Sequence, residues 1–430
     1  MDFNILTLGC KVNQYESQAM REALIERGYT PSRDKEKADI TIINTCTVTS
    51  VSDAKNRKLI HRLRRQNPDG ILVLTGCMPQ AFPEEMKSFD ECDIIIGNKD
   101  RSRLIPSIED YISTHRHLIE IPSHPNSGGI FERMSVSAFS EHTRAFIKIE
   151  DGCNRFCSYC IIPFARGRVR SKPLEDLKAE LEKLARNGYR EIVLVGINLS
   201  CYGQGEGFDL ADAVELTCAV EGIERVRLGS LEPEKMSPEL IKRLAAQKKF
   251  CPQFHLSLQS GCDKTLKAMN RHYTSDEYAK IVETLRGAFS DSAITTDIMV
   301  GFAGETEEDF QSSLQFVKSI GFARVHVFPY SQRKGTAAAD APDQVSSAEK
   351  ERRAKLMGDA VEQARHDFLM TQLGLTQEVL FERLRGGALE GYTKNYTSVR
   401  VLSDNASLCG QVRSVRLEEV IGESCLGVLC

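Results

Sequence analysis

The stretch IEDGCNRFCSYCIIPFARGR, Ile149 to Arg168, places Cys153, Cys157 and Cys160 within eight residues. A β-type run, RAFIKIE, leads into it, and Arg166, Arg168 and Arg170 follow. Thiolates are soft ligands suited to zinc or to iron–sulfur clusters. A metal site that only holds a fold normally closes with four ligands, and CxxxCxxC supplies three. Spacing leaves two readings open. One is a closed zinc site completed by a distant residue such as His255 or Cys251. The other is a 4Fe–4S cubane on three cysteines, with one iron left for something else.

Working outward, RAFIKIE, EIVLVGIN, RVRLGSLEP, QFHLSLQS, AITTDIMVGFAGE and ARVHVFPYS read as strands separated by helices. Six such units predict a partial (βα)6 barrel, with its chemistry on the loops after the strands. Upstream, FNILTLGC, ADITIINTC, ILVLTGC and CDIIIGN alternate with helical stretches and predict a parallel α/β sheet. Three of these four strands end in a cysteine. Ligands gather outside the carboxyl ends of such strands. Cys10, Cys46 and Cys77 can therefore converge, although they lie 36 and 31 residues apart. Downstream, the last sixty residues carry short strands with Gly and Asp turns, which predict a small β-barrel. The expected organisation is an α/β domain over 1–112, a linker over 113–140, the partial barrel over 141–370 and the small β-barrel over 371–430.

The composition fits soluble globular domains: 41% hydrophobic and 27% charged residues in a chain of 430. Fourteen cysteines without a signal-peptide pattern at the start point to a reducing, cytoplasmic setting, where clustered thiols bind metal. No apolar run approaches a membrane span. A net charge of −4 excludes a polycation, so nucleic-acid binding must come from local basic surfaces.

At CNRFCSYC the sequence resembles the radical S-adenosylmethionine enzymes. TRAFIKIEDGCNRFCSYCIIPFARGRVRS, SLEP, HLSLQSGCDKTLKAMNRHYT, DIMVGFAGETEEDF and FPYSQRKGTAA extend that resemblance to the methylthiotransferases. The resemblance implies two 4Fe–4S clusters, one on Cys153, Cys157 and Cys160 and one on Cys10, Cys46 and Cys77. It also implies a C-terminal TRAM domain with an OB-like barrel, and two molecules of S-adenosylmethionine per product, one as methyl donor and one as radical source. TLGCKVNQYES resembles the branch acting on threonylcarbamoyladenosine in tRNA, where the isopentenyladenosine branch reads more like YGCQMN and the ribosomal-protein branch more like LGCPKN. A radical route suits carbon 2 of adenine, which is not acidic and has no leaving group. A different class, a non-catalytic zinc-binding RNA protein, remains as the rival.

For S-adenosylmethionine, Glu232 is a candidate for a ribose hydroxyl or the methionine amine, and Arg271 for the carboxylate. Gly196 and Asn198 in VGIN read as candidates for a close-approach turn beside the adenosyl group. A plain salt bridge or helix cap is the alternative for the charged pair. For RNA, the candidates are the basic helix with Lys55, Arg57, Lys58, Arg62, Arg64 and Arg65, the run Arg166, Arg168 and Arg170, and EGYTKNYTSVR with its interleaved tyrosines and cations. Against the last, residues 371–430 hold six Lys or Arg and seven Asp or Glu. The implied partners are a tRNA anticodon loop, lysine tRNA above all, and an electron donor such as flavodoxin or ferredoxin. The chain is expected to be a monomer.

Overall fold

A computed structural model describes residues 1–34, 37–126, 129–139 and 143–430. The N-terminal apolar runs form one six-stranded, all-parallel sheet. Its order is Thr30–Pro31, Asp2–Thr7, Ile40–Thr45, Ile71–Gly76, Ile94–Ile96, Leu118–Glu120. Helices Lys11–Glu26 and Ser50–Gln66 follow the strands Asp2–Thr7 and Ile40–Thr45. Thr49 caps the second of these, its hydroxyl accepting from the Ser52 amide.

Leu118–Glu120 falls in the expected linker, yet it is the edge strand of this sheet. Three residues are too few to display a period of two, so alternation could not reveal it. Farther along the same segment, Phe131, Val136 and Phe139 are buried. The expected boundary at 140/141 lies outside the described residues.

All six barrel strands form in the expected order and run parallel: Arg144–Lys148, Glu191–Val195, Arg225–Leu231 (interrupted at Gly229), Gln253–Leu256, Ala293–Val300 and Arg324–Pro329. The first and last are the two edges, so the barrel is open. Ala145, Ile147, Ile192, Leu194, Val226, Leu228, Phe254, Leu256, Ile294 and Ile298 share one core, where alternate strand positions meet the surrounding helices.

The end of the chain forms a closed five-stranded barrel. Its strand order is Thr376–Arg385, Ala388–Tyr392, Ser398–Leu402, Ser424–Leu429, Val412–Ile421, which is OB-like. Helix Ser347–Thr371 serves two cores. Met357 and Val361 pack into the large barrel, and Leu369 packs into the small one.

Candidate active site

Cys153, Cys157 and Cys160 sit on the loop between Glu150–Asp151 and helix Ile162–Arg166, at the carboxyl end of the first barrel strand. The loop is wound tightly. Phe156 is left-handed at φ 51°, and the Cys160 amide donates to the Cys157 carbonyl at 2.9 Å. N–H groups point at the sulfurs: Arg271 Nη1 lies 3.4 Å from Cys157 Sγ, and Asn198 Nδ2 and the Arg155 amide lie 3.6 and 3.5 Å from Cys153 Sγ. Burial, with the neighbouring thiols adding to it, pushes Cys153 and Cys160 up to about 12. As bare thiolates these groups would be costly. A cation bound by all three takes the place of their protons, and donors aimed at sulfur are how a protein tunes such a cluster. The set therefore fits a cluster held on three cysteines.

The four expected cofactor residues surround this loop. Arg271 donates to Glu232 through both terminal nitrogens, and the Glu232 amide donates to Ser200 Oγ at 2.8 Å. Gly196 is needed for a contact the sequence did not reveal. A Cβ there would stand 2.6 Å from Oε2 of Glu150, and the same oxygen accepts from the Asn198 amide at 2.6 Å. Glu150 is buried, burial holds its pKa well above the usual carboxyl value, and its Oε1 has no partner. No spacing rule marks a glutamate three residues before a cysteine, so sequence reading passed over it. Arg155, also unassigned by sequence, pairs with Glu234 and lies 4.0 Å from Glu232.

The second triad assembles at the ends of three adjacent strands. Cys10 caps helix Lys11–Glu26, Cys46 follows Ile40–Thr45, and Cys77 opens a short helix after Ile71–Gly76. Gly9 lets them approach: at φ 109°, a Cβ there would lie 2.5 Å from Cys46 Cβ. Burial, the field of Cys77 and that of Cys10 raise Cys46 to about 11. Burial raises Cys77 as well, against the pull of Arg166. Asn98 Nδ2 and Arg166 Nε point at Cys77 Sγ from 3.7 and 3.3 Å. The donor set is of the same kind as at the first triad and fits a second cluster on the same grounds. His255 and Cys251 do not complete the first triad as a fourth ligand. His255 is held by Thr295 at 3.1 Å and Asp297 at 3.4 Å, and Cys251 is buried in the field of Arg227 and Glu191.

Arg166 ties the two triads together. It ends the helix that begins two residues after Cys160, and its fork reaches Glu16 at 2.6 and 3.0 Å, Asn13 at 2.6 Å and Asp151 at 3.3 Å. Around it lie Arg101, Lys148 and Arg170, so an ionic cluster is buried between the sheet and the barrel. Burial alone would raise the Glu16 carboxyl, but Arg101, Arg166 and Lys148 hold it down at about 2. Arg166 and Arg170 are therefore structural rather than guides for RNA. Arg168 stacks on Phe156 at 4.5 Å.

Strand register shows what the barrel encloses. Arg144, Glu191 and Arg225 form one row, and Phe146, Val193 and Arg227 the next. Across the barrel, His255, Thr295 and Arg324 form a row, with Asp297 beside His326. These positions alternate with the core-facing ones and so face inward. Closed (βα)8 barrels fill this space with branched apolar side chains, whereas here it is lined with charge.

EGYTKNYTSVR is not free for bases. Tyr392 and Tyr396 stack on each other at 4.4 Å. Arg144 lies over both rings, and Arg227 lies over Tyr396. Arg225 donates to the Tyr392 and Glu378 carbonyls, and Asn395 donates to Asp291. The small barrel thus docks on the amino ends of the large barrel's strands, opposite the cysteine loops. On helix Ser50–Gln66, Arg57 pairs with Glu85 and Arg64 with Asp93. Lys55, Lys58, Arg62 and Arg65 stay exposed, on an arc of about 80° and a rise of roughly 15 Å.

Fold and site together define a radical S-adenosylmethionine enzyme, and comparison with known proteins agrees. Residues 147–317 match the Radical SAM superfamily, and residues 2–97 match the Uncharacterized protein family UPF0004. Threonylcarbamoyladenosine tRNA methylthiotransferase MtaB of Chlamydia pneumoniae is 37% identical over 99% of this chain and 97% of its own. The Bacillus subtilis (strain 168) protein of the same name is 37% identical over 96% and 92%. tRNA-2-methylthio-N(6)-dimethylallyladenosine synthase of Pelotomaculum thermopropionicum is 36% identical over 95% and 93%. Among solved structures, the radical S-adenosylmethionine methyltransferase TsrM of Kitasatospora setae shares the fold at TM-score 0.58 and 15% identity, covering 79% of this chain and 77% of that one. The chain belongs to the radical S-adenosylmethionine tRNA methylthiotransferases. Among the described residues, no helix is long and apolar enough to cross a membrane.

Proposed function

We propose that this enzyme converts N-threonylcarbamoyladenosine beside the tRNA anticodon into its 2-methylthio derivative. The observation that carries the substrate choice is the charged barrel interior, with Arg144, Arg227, His255 and Asp297 facing inward. A threonylcarbamoyl group offers a carboxylate, a hydroxyl and an amide to such a wall. An isopentenyl group offers none of these and would make no polar contact with that wall.

In this reading Cys153, Cys157 and Cys160 hold the cluster that takes S-adenosylmethionine, and Cys10, Cys46 and Cys77 hold the second. When bound, the groups supply the radical and the sulfur. The chain supplies placement. Arg271, fixed by Glu232, presents a cation for the methionine carboxylate. Asn198 and Glu150 border the same loop. Arg166 sets the relative position of the two triads. Exposed Lys55, Lys58, Arg62 and Arg65 meet backbone phosphates of the anticodon arm, lysine tRNA being the first to test. A low-potential carrier such as flavodoxin or ferredoxin delivers the electrons.

The test is mass spectrometry of nucleosides from total tRNA of cells with and without the gene. Loss of the methylthio form of threonylcarbamoyladenosine, with its precursor rising, is expected. Loss of methylthio-isopentenyladenosine instead would replace the substrate. No change in any nucleoside would overturn tRNA as the target.

A further inference from the structure

Lys11 follows Cys10 directly and opens helix Lys11–Glu26. Its side chain is exposed to solvent. Its Nζ stands 5.7 Å above the Phe146 ring, on the inward row of the barrel. The charges it feels are Arg144, Arg227 and Glu191, all on that same face. The other cations there have protein partners. Arg144 pairs with Glu382 at 2.7 Å, Arg227 with Glu191 at 3.1 Å, and Arg225 with two backbone carbonyls. Lys11 has no carboxylate or carbonyl within hydrogen-bond distance among the described residues. An ammonium in the field of two guanidiniums, over an aromatic ring and next to Cys10, has no anion in direct contact with it.

We propose that Lys11 determines substrate specificity by pairing with the carboxylate of the substituent on the target adenine. This rests on the substrate reading above and names the residue that enforces it. The carboxylate completes the charge balance of the interior. A base with an apolar substituent would leave the ammonium without a partner, so the residue selects against the wrong base as well as for the right one.

The test uses the reconstituted enzyme and two anticodon stem-loops. One bears threonylcarbamoyladenosine. The other bears its threoninamide counterpart, which has the same shape and no charge. Wild type should prefer the carboxylate in kcat/KM by on the order of 100-fold. Lys11→Met should level the two substrates, and Lys11→Arg should restore most of the preference. Iron content and S-adenosylmethionine cleavage without RNA should match in all three proteins. An unchanged preference in Lys11→Met would overturn the proposal. So would a raised KM for S-adenosylmethionine in that variant, which would assign Lys11 to the cofactor's carboxylate, or a loss of iron, which would make it a support for Cys10. If wild type acts on neither stem-loop, the substrate reading itself fails, a result distinct from all of these.

Discussion

Arg166→Met removes a guanidinium that donates to Glu16, Asp151, Asn13 and Cys77 from inside the protein. Deleting one partner of a buried ion pair costs about 3–5 kcal/mol. Glu16 keeps Arg101 at 2.8 Å and Lys148 at 2.9 Å, and Asp151 keeps Lys148 at 3.2 Å and Arg170 at 3.3 Å. The lower end, about 3 kcal/mol, therefore applies. At roughly 2 °C per kcal/mol for a chain of this size, the melting midpoint falls by about 6 °C at pH 7.5. The pH dependence has a definite sign. Glu16 titrates at about 2 in the folded chain, below its ordinary 4.5. Its contribution to stability is thus present above about pH 4.5 and lost as pH falls toward 2. Without Arg166 that depression shrinks, and the variant protonates Glu16 earlier. The gap between the two proteins should narrow below pH 4.5. Calorimetry of the metal-free proteins from pH 7.5 to 3.5 reads both effects. Midpoints within a degree of each other at pH 7.5, or a gap that stays constant on acidification, would refute the ionic tie.

Cys153→Ala and Cys10→Ala should each keep about four of about eight irons per chain, measured by iron and sulfide analysis after anaerobic reconstitution. Gly9→Ala, whose Cβ would lie 2.5 Å from Cys46 Cβ at φ 109°, should lose the second cluster and keep the first, with S-adenosylmethionine cleavage retained and methylthiolation abolished. Changing Lys55, Lys58, Arg62 and Arg65 together to Gln should flatten the log–log salt dependence of tRNA binding by about 3, whereas Arg64→Gln should lower stability instead, because that side chain is bound to Asp93 at 2.5 Å.

The barrel strands were legible because each is an apolar run with β-branched residues between helices of clear period. The cysteines at strand ends were legible because parallel sheets gather their ligands there. What escaped depended on pairing across long separations. Charge density along Ser50–Gln66 did not show that Arg57 and Arg64 belong to Glu85 and Asp93, 28 and 29 residues away. Tyr392 and Tyr396 read as a stacking surface, which they are, but their cations are Arg144 and Arg227 of the same chain. The run after Cys160 looked like a guide for ligands. Two of its three arginines neutralise Glu16 and Asp151, acids whose burial no local pattern announces.

The docking of the small barrel also bears on inheritance. Arg225 and Arg227 are nearly inaccessible to water; Glu191 pairs with both, and carbonyls of Tyr392, Thr393, Lys394 and Glu378 accept from their terminal nitrogens. A fragment ending before residue 372 would bare these guanidiniums and Asp291 at the floor of the barrel. The catalytic portion is therefore not an autonomous module to which an RNA-binding attachment was added. Exchange of the terminal segment between relatives should succeed only when the floor residues travel with it, and the two stretches should drift together over generations.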